Sequence, residues 1–107
     1  MFEGSDALFE AIRAGRVDRV FNLMHGPGGE DGAIQGALQL MNIPITGTGL
    51  LGSAMSMDKV RSKWIWESQG INTPPFYLLR EGDELADEFI EEWGLPLFVK
   101  PAGLGSS

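Results

Sequence analysis

The chemistry in this 107-residue sequence is concentrated in three places. The first is His25-Gly26-Pro27-Gly28-Gly29-Glu30-Asp31-Gly32, a glycine-rich loop between an apolar run and a helical pattern. His25 and Glu30 offer an acid–base pair within reach of one ligand. Backbone N–H groups at the start of the following helix favour an anion or polar ligand, and the glycines allow close approach. A plain connector with a surface histidine has the same spacing, and such loops are common in α/β folds. The second is Phe98-Val99-Lys100-Pro101, a lysine closing an apolar strand pattern, followed by Gly103-Leu104-Gly105-Ser106-Ser107. A buried ammonium needs a partner, and a nucleotide phosphate is a natural one. The loop's amides and hydroxyls could wrap that phosphate, although an exposed edge lysine beside an ordinary loop fits the pattern as well. The third is Asp58-Lys59 at a helix start, where Asp58 suits the helix dipole and Lys59 could reach a phosphate or simply lie on the surface.

Other patterns carry less. Gly47-Thr48-Gly49-Leu50-Leu51-Gly52 spells G-x-G-x-x-G with Glu67 twenty residues on. The preceding strand is short and holds Pro44, and Glu67 falls inside a helical stretch, so an interdomain turn is the better reading. No P-loop motif occurs, and no Ser-His-Asp arrangement is supported, because the lone histidine belongs to the first loop. Trp64, Trp66 and Trp93 sit at helical spacing and are expected in or beside the core.

The elements that must position these residues alternate. A helix is expected from Ser5, as its cap, to about Arg13, with Leu8, Phe9 and Ile12 on one face and Gly15 as the stop. Val20 to Met24 reads as a strand buried on both faces. Ile34, Ala37, Leu38 and Met41 mark a second helix, and Ile43 to Thr46 a short edge strand. Helical sequence returns from Leu50 to Gln69, as two helices meeting near Ser56, and ends at Gly70. Phe76 to Leu79 reads as a strand. Asp83 to Trp93 reads as an amphipathic helix with Leu85, Phe89 and Trp93 inward, and Leu95 to Lys100 as a buried strand.

Composition narrows the function classes. The chain is 43% hydrophobic and 21% charged, as globular proteins are. The net charge is −7, and seven of the fifteen acids fall between Glu81 and Glu92, a solvated helix face rather than a metal site. So acidic a chain is a poor binder of nucleic acid. With no cysteine there is no disulfide, zinc-thiolate site or cysteine nucleophile. No apolar run approaches the ~18 residues of a membrane span, and the start lacks the basic region of a signal peptide, so a cytoplasmic protein is expected. A lone strand plus a short one cannot make a stable sheet, and a glycine-serine loop after a buried strand should lead onward. Both ends are therefore expected to be cut from a longer chain.

In order and spacing the sequence resembles the D-alanine–D-alanine ligases. The resemblance is carried by Leu23 to Gly32, Gln35-Gly36, Ile43 to Gly49, Ser56-Met57-Asp58-Lys59-Val60-Arg61-Ser62-Lys63, Gly94 to Pro101 and Gly105-Ser106-Ser107. It covers essentially the whole chain. The histidine loop together with Met57-Asp58-Lys59 is its specific part; Val99-Lys100-Pro101 alone would indicate only the wider ATP-grasp superfamily. The resemblance implies an α/β fold: residues 1–47 as the later part of a Rossmann-like (pre-ATP-grasp) N-terminal domain, and residues 48–107 as the truncated central α+β part of an ATP-grasp fold. It implies that Lys59, Lys100 and Gly105 contact ATP phosphates, that Ser106 contacts phosphate and substrate, and that His25 and Glu30 lie beside the D-alanine site. The implied activity is ATP-dependent joining of two D-alanines for peptidoglycan, through an acyl phosphate. The implied parent is a homodimer that uses Mg2+.

Gly103 and Leu104 depart from the arginine-glutamate pair usual in this family, which puts the loop's ion pairing in doubt. The family's substrate-holding glutamate would lie upstream. Its magnesium-binding acids, adenine strand and oxyanion arginine would lie downstream. No metal ligand is expected in this chain, and the 107 residues alone are expected to be inactive. The rival expectations are a D-lactate or D-serine ligase of the same family, a non-catalytic nucleotide-binding module, and an inert remnant.

Overall fold

The computed structural model describes residues 4–104. Five helices follow one another: α1 (Ser5–Arg13), α2 (Ala33–Leu40), α3 (Leu50–Met57), α4 (Lys59–Ser68) and α5 (Asp87–Trp93). Extended segments connect them, and Val20 and Ile45 form a parallel bridge. Val20 N donates to Pro44 O (2.9 Å) and Thr46 N to Val20 O (3.0 Å), so the chain before the histidine loop lies beside the chain after α2.

The core lies here. Leu8 of α1 meets Ile34 and Leu38 of α2, all buried, and Phe9, Ile12, Val17, Val20, Ile43 and Ile45 pack around them; Ala11 of α1 is also buried. The i, i+4 spacing of Ile34 and Leu38 puts both on the inner face of α2. α1 starts one residue earlier than Ser5 implies. Gly4 is the N-cap and Ser5 the first helical residue, without a side-chain capping bond. The stop at Gly15 is as expected. Its φ of 69° lets Gly15 N and Arg16 N return to Ile12 O and Ala11 O at 2.9 and 3.0 Å.

The long helical stretch divides as expected, with its break at Asp58. Asp58 ends α3 with an extended backbone and caps α4, accepting Arg61 N at 2.8 Å. Ser62 Oγ then donates to Met55 O at 3.0 Å and fastens α4 to α3. Glu67 lies in α4, as the dismissal of a dinucleotide fingerprint required.

Several expectations fail, those for the strands because a strand needs a neighbour to pair with. Val20 to Met24 pairs only at Val20, and Phe21 and Leu23 are exposed rather than buried. Phe76–Leu79 and Leu95–Lys100 are extended but form no ladder among the described residues. Phe98 and Val99 are 86% and 81% exposed, so Lys100 does not close a buried strand. The acidic helix begins at Asp87, because Gly82 makes a turn in which Arg80 N bonds Asp83 Oδ2 at 2.8 Å. Phe89 stacks on Trp93 (4.8 Å) and meets Tyr77 (4.9 Å), whereas Trp64, Trp66 and Trp93 are exposed and not core.

A candidate amino-acid cleft

α2 packs on α3, and the approach is close. A Cβ on Gly36 would lie 2.6 Å from Leu50 Cδ1, and one on Gly32 would lie 2.8 Å from Leu50 O. This packing sets the histidine loop against the start of α3 and leaves a cleft of about 350 Å3 between them. It is lined by His25, Glu30 and Gln35 and by Thr46, Thr48, Ser53 and Ser56.

Glu30 folds back over its own loop: Oε2 accepts Gly26 N at 2.6 Å, and Oε1 lies 3.9 Å from Nδ1 of the exposed His25. The two residues are thus brought together, with the carboxylate fixed and the imidazole exposed. Asp31 accepts Gly28 N (2.9 Å) and Ala33 N (3.0 Å). The Gly28 amide first, then that of Ala33, holds the Asp31 carboxyl below the ordinary carboxylate range. These bonds correct the expectation of an anion cradle. The amides of Gly26, Gly28 and Ala33 are already taken by the loop's own carboxylates, so the helix start has few donors left for a ligand.

One carbonyl ties the loop down. Gly29 O accepts from Asn22 Nδ2 (2.9 Å) and from Gln35 Nε2 (3.0 Å). Gln35 is buried on the inner side of α2 next to Ile34 and Leu38. The apolar periodicity of that helix marks its leucine and isoleucine. The available signal was the opposite one, an amide on a core-facing position. Ser53 and Ser56 also went without an assigned role. Ser53 Oγ donates to Thr48 O (3.1 Å) and Ser56 Oγ to Ser53 O (3.2 Å).

Lys59, three residues beyond Ser56, opens α4. Its backbone N donates to Ala102 O at 2.9 Å and its Nζ donates to Leu104 O. The glycine-rich loop therefore returns to the head of α4, and Lys59 stands beside it. Lys100 is exposed in the segment leading into that loop. Gly105 and Ser106 lie outside the described residues. Among the described residues no group of three or more His, Cys, Asp or Glu could hold a metal ion. No helix there is long and apolar enough to cross a membrane.

Comparison with known proteins matches this arrangement to one family. Residues 2–48 match the family described as D-ala D-ala ligase N-terminus. The D-alanine–D-alanine ligase of Burkholderia cenocepacia is 45% identical over 109 residues, covering 99% of this chain and 35% of the relative. That of Dechloromonas aromatica is 48% identical over 106 residues, covering 99% and 34%. The crystal structure of the Bacillus anthracis ligase complexed with ATP superposes with a TM-score of 0.75 at 36% identity, over 89% of this chain and 33% of that one. The Coxiella burnetii ligase gives 0.63 at 34% identity, over 71% and 23%. Along nearly its whole length the chain is similar to D-alanine–D-alanine ligases, and it spans about a third of the length of the relatives it matches.

Proposed function

We propose that this chain provides the D-alanine-facing cleft and part of the phosphate-facing corner of an ATP-dependent ligase that joins two D-alanines into D-alanyl-D-alanine for peptidoglycan. The observation that carries the reading is the cleft itself. The His25–Glu30 pair lines it together with Ser53 and Ser56, in a sequence 45% identical to a D-alanine–D-alanine ligase.

In that reaction a carboxylate oxygen of the first D-alanine takes the terminal phosphoryl group of ATP, with ADP as the leaving group, and the carboxylate becomes an acyl phosphate. The amine of the second then bonds to the acyl carbon, loses a proton and displaces inorganic phosphate. Glu30, fixed by Gly26 N, and the exposed His25 beside it orient D-alanine. Lys59 and Lys100, with Gly105 and Ser106, balance phosphate charge, and Ser106 also meets the substrate. The contact of Lys59 with the loop at Ala102 and Leu104 supports this corner, since it sets an ammonium beside backbone that a phosphate can approach.

The glycine turn and the end of the family match at residue 48 support a division into residues 1–47, facing substrate, and 48–107, facing nucleotide. The resemblance extends the proposal to a homodimeric parent working in the cytoplasm, with D-alanine and ATP as its small-molecule partners.

D-Alanine added to the isotope-labelled protein should shift the His25 ring and Gly29 amide resonances saturably, and L-alanine much less. If D-alanine leaves both resonances in place, the reading is wrong.

A further inference from the structure

Resting on that reading, we propose that Lys59 is a positioning residue for the glycine-rich loop: its ammonium group holds the main chain of the loop and a nucleotide phosphate at once, so that phosphate binding firms the loop.

Both donors of this one residue turn to the same stretch of chain. Lys59 N donates to Ala102 O at 2.9 Å, and Lys59 Nζ donates to Leu104 O, 45 residues away in sequence. The backbone bond has a local cause. The first N–H of a helix has no partner within the helix, and Ala102 O supplies one to α4. That bond fixes where the loop lands and does not depend on the side chain at position 59. The second bond does depend on it, since Gly103 and Leu104 bring no ionisable group of their own.

The neighbouring cations of α4 are turned elsewhere. Arg61 Nη1 donates to Asp58 Oδ2 on the same turn, and Lys63 Nζ donates to Thr73 Oγ1 at 3.1 Å. Lys59 is thus the cation of this turn that meets the loop. An ammonium carries three N–H groups on a flexible stem. Leu104 O takes one of them, and phosphate oxygens can take others without releasing the carbonyl. One charge then serves two neighbours, the loop and the phosphate it covers.

The test is NMR relaxation of the 107-residue protein, with inorganic pyrophosphate as the probe. Without ligand, the order parameter of the Leu104 amide should fall in Lys59→Met from near the rigid value of about 0.85 towards the flexible range below about 0.6. Lys59→Arg, which keeps a charged donor, should retain most of it. Ala102 should keep its order in all three proteins, because its bond comes from the backbone. Pyrophosphate should raise the order of Leu104 in the unmodified protein and leave it unchanged in Lys59→Met. Equal order at Leu104 in the unmodified protein and in Lys59→Met would overturn the assignment. So would a loss of order when pyrophosphate is added, which would mean that phosphate and loop compete for the ammonium. If Lys59→Met does not fold, the pyrophosphate response of the unmodified protein decides between these outcomes. Pyrophosphate that shifts neither the Lys59 nor the Leu104 resonance would remove the phosphate-facing corner and overturn the joint role with it; the ligand-free comparison then tells that failure from a failure of the loop anchor.

Discussion

Gly29 has no room for a side chain. A Cβ built there would lie 2.4 Å from Met24 Cβ and 2.9 Å from the Met24 carbonyl carbon, and backbone cannot swing aside as a side-chain tip can. Gly29→Ala should therefore displace the loop, at a cost of about 1–3 kcal/mol in urea denaturation, and should abolish the D-alanine response of His25. An unchanged unfolding midpoint would contradict this packing. At this scale the sequence was half legible. His25 and Glu30 could be picked out because their loop is distinctive, and they do share a cleft. Gln35 could not, since its importance comes from a carbonyl six residues away that only the folded loop presents to it. Nor could the sequence say that Glu30 and Asp31 would spend their oxygens on neighbouring amides.

Helices were the legible elements, because their hydrogen bonds close within a few residues and their caps are written locally. The Asp58 break and the stops at Gly15, Gly70 and Gly94 follow that rule. The extended segments were not legible, because ladder partners come from distant chain. Leu95–Lys100 has the apolar character of a strand and pairs with nothing among the described residues. Two expectations belong to the helices. Leu38 is fully buried between α1 and α2, so Leu38→Ala should cost about 2–5 kcal/mol in denaturant, enough to unfold a domain this small. The Asp58 carboxyl is held below its ordinary value, mainly by the Arg61 amide and then by the Arg61 side chain. A lowered pKa stabilises the fold above the unfolded value of about 3.9, and that contribution is lost as pH falls through the lower folded value. α4 should therefore fray on acidification below about pH 3.9, seen as a shift of the Arg61 amide. Asp58→Ala should show no such step and should already have a weakened α4 at neutral pH.

The molecule extends 60 × 29 × 21 Å, with its buried residues concentrated towards the N-terminal half. α4 and α5 contain no buried residue, and Tyr77, Leu95 and Phe98 stand in solvent. Stability should follow that division. In hydrogen exchange, amides around Leu8 and Leu38 should be the slowest, and those of Phe98 and Val99 should exchange almost at once. Uniform protection along the chain would mean that the C-terminal half is covered in solution.

The carbonyl of Gly29 can be viewed as a fail-safe joint. A carbonyl oxygen has two lone pairs, and here Asn22 and Gln35 each occupy one, from opposite sides of the loop in sequence. Either amide alone keeps the oxygen paired, so the loss of one is cushioned by the other. Losing both strands the oxygen and frees the loop from the two segments that flank it. Asn22→Ala and Gln35→Ala should therefore each be mild in thermal unfolding, and the double variant should lose more than the two single losses combined. The tether on the His25 loop would then yield not in proportion to damage but only when its second strand is cut.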